Sequence, residues 1–360
     1  MIRKICFIVN ADRFFDSHRR PLQQILDNNF SCDIIAGDTG FALDYNIKKF
    51  EVSSRIPTIK GLLQLRKILK EYNEDTNFIV VTPMMIFIIH FFFPKLIKVH
   101  YNFSGLGFLR SKSSLLLFFL FKAFAFYPIN GFRSIVVQNS DDLNFMQRIF
   151  QNNKKFIVSL IPGSGFENLY DIEIQKNDIL RLGFVGRVRK DKGILDLIEA
   201  VNILKNENYQ LELHIWGTLD DASRHGFSNS ELQVISKNSK YFRGESKNKH
   251  EIYTSFDWFC LPSNGEGVSK AAIEAASYKK PLLLSNAPGN RDMIDNNGYL
   301  HLYSNVNDLK EKIKLINSID LIEYSKFATR SHELYIEKWT LQSISKNWLN
   351  LLETYDSPST

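Results

Sequence analysis

Short apolar runs alternate with amphipathic stretches along most of the chain. Residues 5–9 form a continuous apolar run closed by the polar Asn10-Ala11-Asp12-Arg13. That pattern predicts a buried strand, and its length is too short for the apolar core of a signal peptide. Over 21–28, Leu22, Ile25 and Leu26 share one helical face, and 32–36 reads as a second strand ended by Gly37. This is the opening of a βαβ unit. Residues 58–72 carry Ile59, Leu62, Leu63, Leu65, Ile68 and Leu69 on one broad face, predicting a helix. Further strands are predicted over 77–81, 97–101, 134–138 and 156–161. The pattern then restarts, with strands over 182–185, 211–215, 258–261 and 281–285. Helices over 194–204, 269–278 and 307–316 separate or follow them. Strand–helix alternation of this kind predicts an α/β fold with mostly parallel sheets.

Pro162-Gly163-Ser164-Gly165 punctuates the chain between the two halves. A last helix over 336–352 carries Leu341, Ile344, Trp348 and Leu351, large anchors that predict docking against a core. The 360 residues suit two domains. Apolar residues at 44% and charged residues at 23% are ordinary globular values and exclude a disordered, collagen-like or multi-span membrane chain. Cys6, Cys32 and Cys260 are odd in number and far apart, which excludes a disulfide scaffold and a CxxC metal pair and suggests a reducing compartment.

Charge is uneven. Residues 1–166 hold 21 Lys+Arg against 12 Asp+Glu, a formal +9 within a total of +6, so the remainder carries −3. A basic first half suggests an anionic partner. Nucleic acid is discounted, because no helix-turn-helix, zinc-finger or RNP signature is present and the charges are scattered. The same half contains two aromatic stretches, 87–93 and 115–127. Neither reaches the roughly 20 clean apolar residues of a membrane span. Two readings stand: core elements, or an apolar surface resting on a bilayer beside Arg110, Lys112 and Lys122.

Two constellations carry chemistry. In Gly183-Phe184-Val185-Gly186-Arg187-Val188-Arg189-Lys190-Asp191-Lys192-Gly193 a strand ends, the chain turns at Gly186, and a helix follows Gly193. Main-chain amides at such a turn face anions, and Arg187 and Lys192 add fixed charge suited to a diphosphate. The Gly-Lys-Ser/Thr ending of a Walker loop is absent. In Pro262-Ser263-Asn264-Gly265-Glu266-Gly267-Val268-Ser269 a strand end runs into the helix Lys270-Ala271-Ala272-Ile273-Glu274-Ala275. Gly267, Val268 and Ser269 supply amides at the helix start. Glu266 and Glu274 suit sugar and ribose hydroxyls and are expected to face one elongated ligand. A carboxylate among alanines, as at Glu274, needs a partner. No Asp-x-Asp motif is placed to chelate a metal, and Asp141-Asp142 reads as a helix-start cap.

These residues resemble the large GT4 family of retaining glycosyltransferases. Glu266 to Glu274 resembles its E-x7-E motif, Gly186 to Gly193 its donor-phosphate turn, and Pro162 to Gly165 its P-G-x-G hinge. Ala287-Pro288-Gly289-Asn290-Arg291-Asp292 resembles the segment after its last core strand. Phe14-Phe15-Asp16-Ser17-His18-Arg19-Arg20-Pro21-Leu22, Gly105-Leu106-Gly107 and Gln138-Asn139-Ser140-Asp141-Asp142 are similar to members that build bacterial surface polysaccharides such as capsule or O-antigen. Phe166-Glu167 after the hinge, and Thr82-Pro83 with the Phe run, depart from the family pattern.

The resemblance implies the GT-B fold: two Rossmann-like α/β domains facing a central cleft, with a C-terminal helix docking back toward the first. The expected divisions are an acceptor-binding domain over 1–165, a nucleotide-sugar-binding domain over 166–335, and a docking helix and tail over 336–360. It implies a retaining transfer from a nucleotide-sugar, UDP-linked in similar enzymes, to a polyprenyl-diphosphate-linked saccharide, without metal or other cofactor. Arg187, Lys192 and Glu266 would act in catalysis; Gly186, Gly267, Val268, Ser269 and Glu274 would hold the donor. His18, Arg19, His100 and Gly105 would contact the acceptor or a phosphate, with His18-Arg19-Arg20 forming a dense basic loop. The expected location is the cytoplasmic face of the plasma membrane, held peripherally by an anionic surface. The alternatives are a soluble or non-prenyl acceptor, or a GT-B enzyme of another class such as a glycogen-type synthase or an epimerase. A non-catalytic nucleotide-binding module has no use for the glutamate pair. A Rossmann dehydrogenase needs a glycine-rich turn where Asn10-Ala11-Asp12-Arg13 stands.

Overall fold

The computed structural model describes residues 4–41, 46–106, 114–220 and 226–356. They divide into two compact units, Met1–Gly165 with Leu341–Thr360, and Phe166–Thr340. In chain order the first unit begins β1 (Lys4–Val9), α1 (Asp12–His18), α2 (Arg20–Leu26), β2 (Ser31–Asp38), β3 (Lys48–Ser53), β4 (Ile56–Pro57), α3 (Ile59–Leu69) and β5 (Thr76–Val81). It continues with α4 (Pro83–Phe92), β6 (Val99–Asn102), α5 (Ser114–Phe126), β7 (Arg133–Val137), α6 (Ser140–Phe150) and β8 (Phe156–Leu160). The second unit runs β9 (Leu180–Val185), α7 (Ile194–Asn206), β10 (Leu211–Trp216), α8 (Asn229–Lys237), β11 (Phe242–Gly244), α9 (Lys249–Thr254) and β12 (Trp258–Leu261). It closes with α10 (Lys270–Ser277), β13 (Leu282–Ser285), β14 (Gly298–His301), α11 (Val306–Asn317) and α12 (Leu321–Leu334), after which α13 (Leu341–Asp356) returns to the first unit.

The first sheet has the order β4-β3-β2-β1-β5-β6-β7-β8, parallel throughout except the β3–β4 pair. Its order reverses between β1 and β5. Helices on both faces bury both sides of the central strands, so all six residues of β5 are buried and the run is continuously apolar after Asn77. The C-terminal helix α13 places Ile344, Trp348 and Leu352 in one core cluster with Phe7, Leu22 and Leu26, and it packs on α2. The second sheet has the order β11-β10-β9-β12-β13-β14, all parallel, with its reversal between β9 and β12. In doubly wound sheets, ligands bind outside the carboxyl ends of the strands at that reversal.

Several expectations are corrected. The basic loop expected at His18-Arg19-Arg20 is the joint of two helices, α1 and α2. Asp12 is buried, and its carboxylate accepts the Arg13 amide (2.7 Å) and the Thr39 hydroxyl and pairs with Lys49 (3.0 Å). With Phe15 in the core, the polar run starts α1. Arg20 then begins α2, so Arg19 sits at the joint of two helices and turns inward. The side chain of His18 lies outside the described residues, as do Gly107, Arg110 and Lys112 entirely. The terminal helix starts at Leu341 rather than 336, because Tyr335–Trp339 extends α12 as a π-helical turn within the second unit and Thr340 is extended (ψ 154°). Asn139, not the aspartate pair, caps α6 by accepting the Asp142 amide at 2.8 Å. Asp142 instead accepts the Leu106 amide at 3.0 Å.

The aromatic stretches form α4 and α5. Met85, Ile86, Ile89, Phe121 and Phe124 belong to the core of the first unit. Phe92, Phe119, Leu120 and Phe126 are exposed. Among the described residues no helix is long and apolar enough to cross a membrane.

Candidate functional site

At the carboxyl edge of the second sheet, the loops leaving β9 and β12 are tied together at three points. The Asn264 amide donates to the Asp191 carbonyl at 2.9 Å. Lys192 Nζ lies 2.5 Å from Glu266 Oε1, with both side chains largely buried. Gly193, at φ 68°, comes so close to the second loop that a Cβ would stand 2.1 Å from the Pro262 carbonyl oxygen. Only glycine satisfies both the left-handed backbone and that approach. The turn is shaped from within by Arg189, whose Nε and Nη2 each donate to one oxygen of Asp191 at 2.9 Å. That bidentate fork fixes the loop geometry.

Gly186 bonds its amide to the Trp216 carbonyl (2.9 Å) at the end of β9. Gly217, at φ 141°, lies against it, and a Cβ there would stand 1.9 Å from the Gly186 oxygen. Arg187 projects outward, its side chain 64% exposed and its Nη1 3.4 Å from Asp220. Beyond Glu266 the chain passes through Gly267 and Val268 to Ser269, whose hydroxyl caps α10 by accepting the Ala272 amide at 3.2 Å. Ser269 thus spends its side chain on the helix.

Glu274 is 2% exposed. Its Oε2 accepts the Tyr253 hydroxyl at 2.6 Å and the Lys249 ammonium at 2.8 Å. Both bonds fall on Oε2, and Oε1 remains as its further acceptor. Burial, and after it the neighbouring carboxylate, push the Tyr253 hydroxyl well above its ordinary range, so it stays a donor. The two glutamates therefore occupy separate networks, Glu266 with Lys192 and Glu274 with Lys249 and Tyr253. The alanine-rich helix signalled that Glu274 needed a partner, but nothing in the spacing pointed to α9. Asn290, within the Ala287–Asp292 segment, has a role that the sequence did not specify. Its Nδ2 donates to Ser285 Oγ (2.8 Å) and Ser263 Oγ (3.1 Å), pinning the loop after β12 to the end of β13.

The four candidates in the first unit separate. His100 is buried in β6, with Nδ1 2.7 Å from Ser134 Oγ and Nε2 3.0 Å from Asn77 Oδ1. It serves the sheet interior. Gly105 has φ 135° in the segment after β6. Arg19 is buried at 1% exposure, with Nη2 3.4 Å from Ser104 Oγ, and His18 is described in backbone only. Among the described residues no group of three or more His, Cys, Asp or Glu is arranged to hold a metal ion.

Residues 171–331 match the family described as Glycosyl transferases group 1, a little under half of the chain. The sucrose-phosphate synthase of Thermosynechococcus elongatus superposes with a TM-score of 0.78 over 99% of this chain and 100% of that one, at 15% identity. Anabaena HepE, solved in complex with UDP and glucose, gives 0.70 over 98% and 100%, at 13% identity. These likenesses establish the fold as GT-B. By sequence, the capsular polysaccharide biosynthesis glycosyltransferase CapM of Staphylococcus aureus is 28% identical over 151 residues, 41% of this chain and 39% of that protein. The chain spans about half or less of the length of the first curated relatives that it matches.

Proposed function

We propose that the protein is a retaining glycosyltransferase of surface-polysaccharide synthesis, moving a sugar from a nucleotide-sugar to a lipid-linked saccharide. The observation that carries the reading is the Lys192–Glu266 contact of 2.5 Å at the strand-order reversal of the second sheet. One ammonium and one carboxylate stand side by side there. A nucleotide-sugar presents a diphosphate next to a ring of hydroxyls, and the pair matches that sequence of charges. Lys192 and the exposed Arg187 offset the charge that grows on the departing diphosphate. Glu266 accepts from hydroxyls of the transferred sugar, and Oε1 of Glu274 from a ribose hydroxyl.

In the transfer, the acceptor oxygen forms its bond to the anomeric carbon on the face the diphosphate leaves. The carbon–oxygen bond to the diphosphate breaks with its electron pair, and the acceptor proton passes to a diphosphate oxygen. No protein base and no metal is assigned to this step. The UDP seen in HepE supports a uridine donor, and the capsular role named for CapM supports the polysaccharide context.

The lipid-linked acceptor is supported by the surface of the first unit. A groove of about 660 Å³ there is lined by Ile59, Leu63 and Phe92 and rimmed by Arg66, Lys70 and Lys95. Phe92 is 66% exposed and Ile59 82%. Apolar side chains ringed by cations suit peripheral contact with an anionic bilayer at the cytoplasmic face. A screen of nucleotide-sugars for transfer, read by mass spectrometry of a polyprenyl-diphosphate-linked acceptor, tests the whole reading. UDP-sugar consumption with one added hexose or N-acetylhexosamine is expected. Absence of both nucleotide binding and transfer across the screen would overturn it.

A further inference from the structure

Among the described residues, two arginines are buried in the first unit, and they are treated differently. Arg133 donates to the carbonyls of Ile97 (2.9 Å), Asn130 (2.8 Å), Pro94 (3.2 Å) and Leu96 (2.5 Å). That is how a folded chain satisfies a guanidinium without a carboxylate. Arg19 is equally buried, yet among the described residues its Nε and Nη1 have no hydrogen-bond partner, and the guanidinium's bond is the 3.4 Å contact to Ser104. No acidic side chain acts on it; burial alone lowers its pKa to about 10. A buried, unpaired cation is among the most unfavourable features a fold can carry.

Thr82 Oγ1 and Asn102 Oδ1 are also buried polar atoms without partners, and they lie at the same end of the same sheet. Arg19 ends α1, the helix that follows β1, while Thr82 follows β5 and Asn102 ends β6; the three strands are adjacent. Val81 and Asn102 are register partners, which places Thr82 just beyond Asn102. β1 and β5 are the pair between which the strand order reverses, where doubly wound sheets bind ligands. Thr82 is strained as well. A β-branched residue at φ 78° is an outlier, and it leads into α4 without using its hydroxyl as a cap. Helix α4 thus starts at this site, and helix starts favour anions.

We propose that Arg19, with Ser104, Thr82 and Asn102, forms an oxyanion site in the first unit that takes a mono- or diphosphate carried on a hydroxyl-bearing sugar. Arg19 supplies donors from Nε and Nη1, which lie on different edges of the guanidinium, so that each can give one hydrogen bond to a phosphate oxygen. Thr82 Oγ1 adds a third donor. Asn102 Oδ1 accepts, which a bare phosphate cannot satisfy at neutral pH but an adjacent sugar hydroxyl can. The inference rests on the first unit being the acceptor unit of the proposed transferase. It narrows the acceptor to one that carries its phosphate next to a sugar ring.

The test uses the full chain in phosphate-free buffer at constant ionic strength. Pyrophosphate, glucose 1-phosphate, farnesyl diphosphate and UDP are titrated by calorimetry and by thermal shift. Wild type is expected to bind pyrophosphate saturably in the presence of saturating UDP. Arg19→Met should weaken that binding at least tenfold while leaving the UDP affinity within twofold. Without phosphate, Arg19→Met should melt at the same or a higher temperature, since it removes an unpaired buried charge. Ser104→Ala, a milder change, should weaken pyrophosphate severalfold. Unchanged pyrophosphate affinity in Arg19→Met, or a lowered melting temperature that marks Arg19 as structural, overturns the proposal. So does wild type that binds no pyrophosphate beside UDP, whatever the variants do. Loss of UDP binding alone would count against the transferase reading and leave the Arg19 site standing. Glucose 1-phosphate and farnesyl diphosphate separate a soluble from a lipid-borne source of the same phosphate, the tighter by tenfold naming it.

Discussion

Replacing Glu274 by Gln isolates the charge of a carboxylate while keeping its shape. In the native protein Oε2 holds the Tyr253 hydroxyl at 2.6 Å and Lys249 at 2.8 Å, and the side chain is 2% exposed. Glutamine keeps a carbonyl oxygen for Tyr253, and the partly exposed Lys249 regains water. The stability loss is therefore about 1 kcal/mol, the difference between a charge-assisted and a neutral hydrogen bond. For a unit of this size that is a fall of about 2–4 °C in melting temperature. Nucleotide binding should suffer more. A ribose hydroxyl bonded to a carboxylate in a buried setting contributes roughly 1.5–3 kcal/mol, which is about a 10- to 150-fold change in Kd. Calorimetric titration of UDP reads this directly, and differential scanning reads the fold.

Tyr253→Phe is the companion variant. It removes the 2.6 Å donor from Glu274 but leaves the carboxylate charged and paired with Lys249. Its cost falls on stability, roughly 1–3 kcal/mol for a buried acceptor losing its partner, with UDP affinity changed less than about threefold. Equal UDP affinity in folded Glu274→Gln and wild type would refute the ribose role. A Tyr253→Phe defect in UDP binding as large as that of Glu274→Gln would show that the network, not the carboxylate, matters.

Lys192→Ala and Arg187→Ala should each lower kcat by about 100-fold or more, roughly 3 kcal/mol of transition-state stabilisation, in a steady-state transfer assay. Transfer activity should survive excess EDTA, and activity recovered only on adding Mg²⁺ or Mn²⁺ would contradict the assignment of leaving-group charge to Arg187 and Lys192. Gly217→Ala puts a Cβ 1.9 Å from the Gly186 oxygen at φ 141°; about 1–3 kcal/mol of strain should lower the melting temperature and weaken UDP, since the displaced atom lies in the turn proposed to hold the diphosphate. Stability should fall in acid through His90, whose pKa is lowered to about 4 by burial. Neutral His90 bonds Tyr101 and the Phe124 carbonyl, so between its ordinary value and 4 the unfolded chain binds the extra proton. Stability is then complete above the unfolded value and declines as pH drops toward 4; a flat melting temperature from pH 7 to 4.5 would exclude this.

The parallel core strands were legible because both faces are covered, so each reads as an unbroken apolar run such as Ile5–Val9 or Leu282–Leu284. The glycine-bounded loops at 186–193 and 262–269 were legible because a strand end, a turn and a helix start follow one another within a few residues. Elements stabilised by distant partners were not. The strand β3, Lys48–Ser53, is half charged and stays in the sheet because Lys49 reaches the buried Asp12 and Phe50 fills the core. The same carboxylate makes a helix of residues that look like a loop. Partners of Glu274 come from α9, more than twenty residues away, and local spacing carries no trace of that contact.

The charged groups at the two candidate sites, Lys192 with its neighbours and Arg19, are arranged on opposite principles. In the second unit, Lys192 is held by Glu266, Arg189 by Asp191, and Glu274 by Tyr253 and Lys249. These charges are compensated within the protein, so the site is stable as it stands and its geometry is set beforehand, as electrostatic catalysis requires. On the proposed reading, a diphosphate arriving there takes Lys192 partly from Glu266, and the released carboxylate is freed to accept from the sugar hydroxyls. Binding exchanges one set of contacts for another, and net affinity stays modest while transition-state discrimination is retained. In the first unit Arg19 has no internal compensation. An anion there adds contacts without displacing any, so ligand and fold stability are coupled more strongly than at Lys192. A catalytic site gains from exchangeable pairs, because the charge it must offset appears only during reaction. A site that holds a permanent phosphate gains from an unpaired cation, because the charge is present from the first contact.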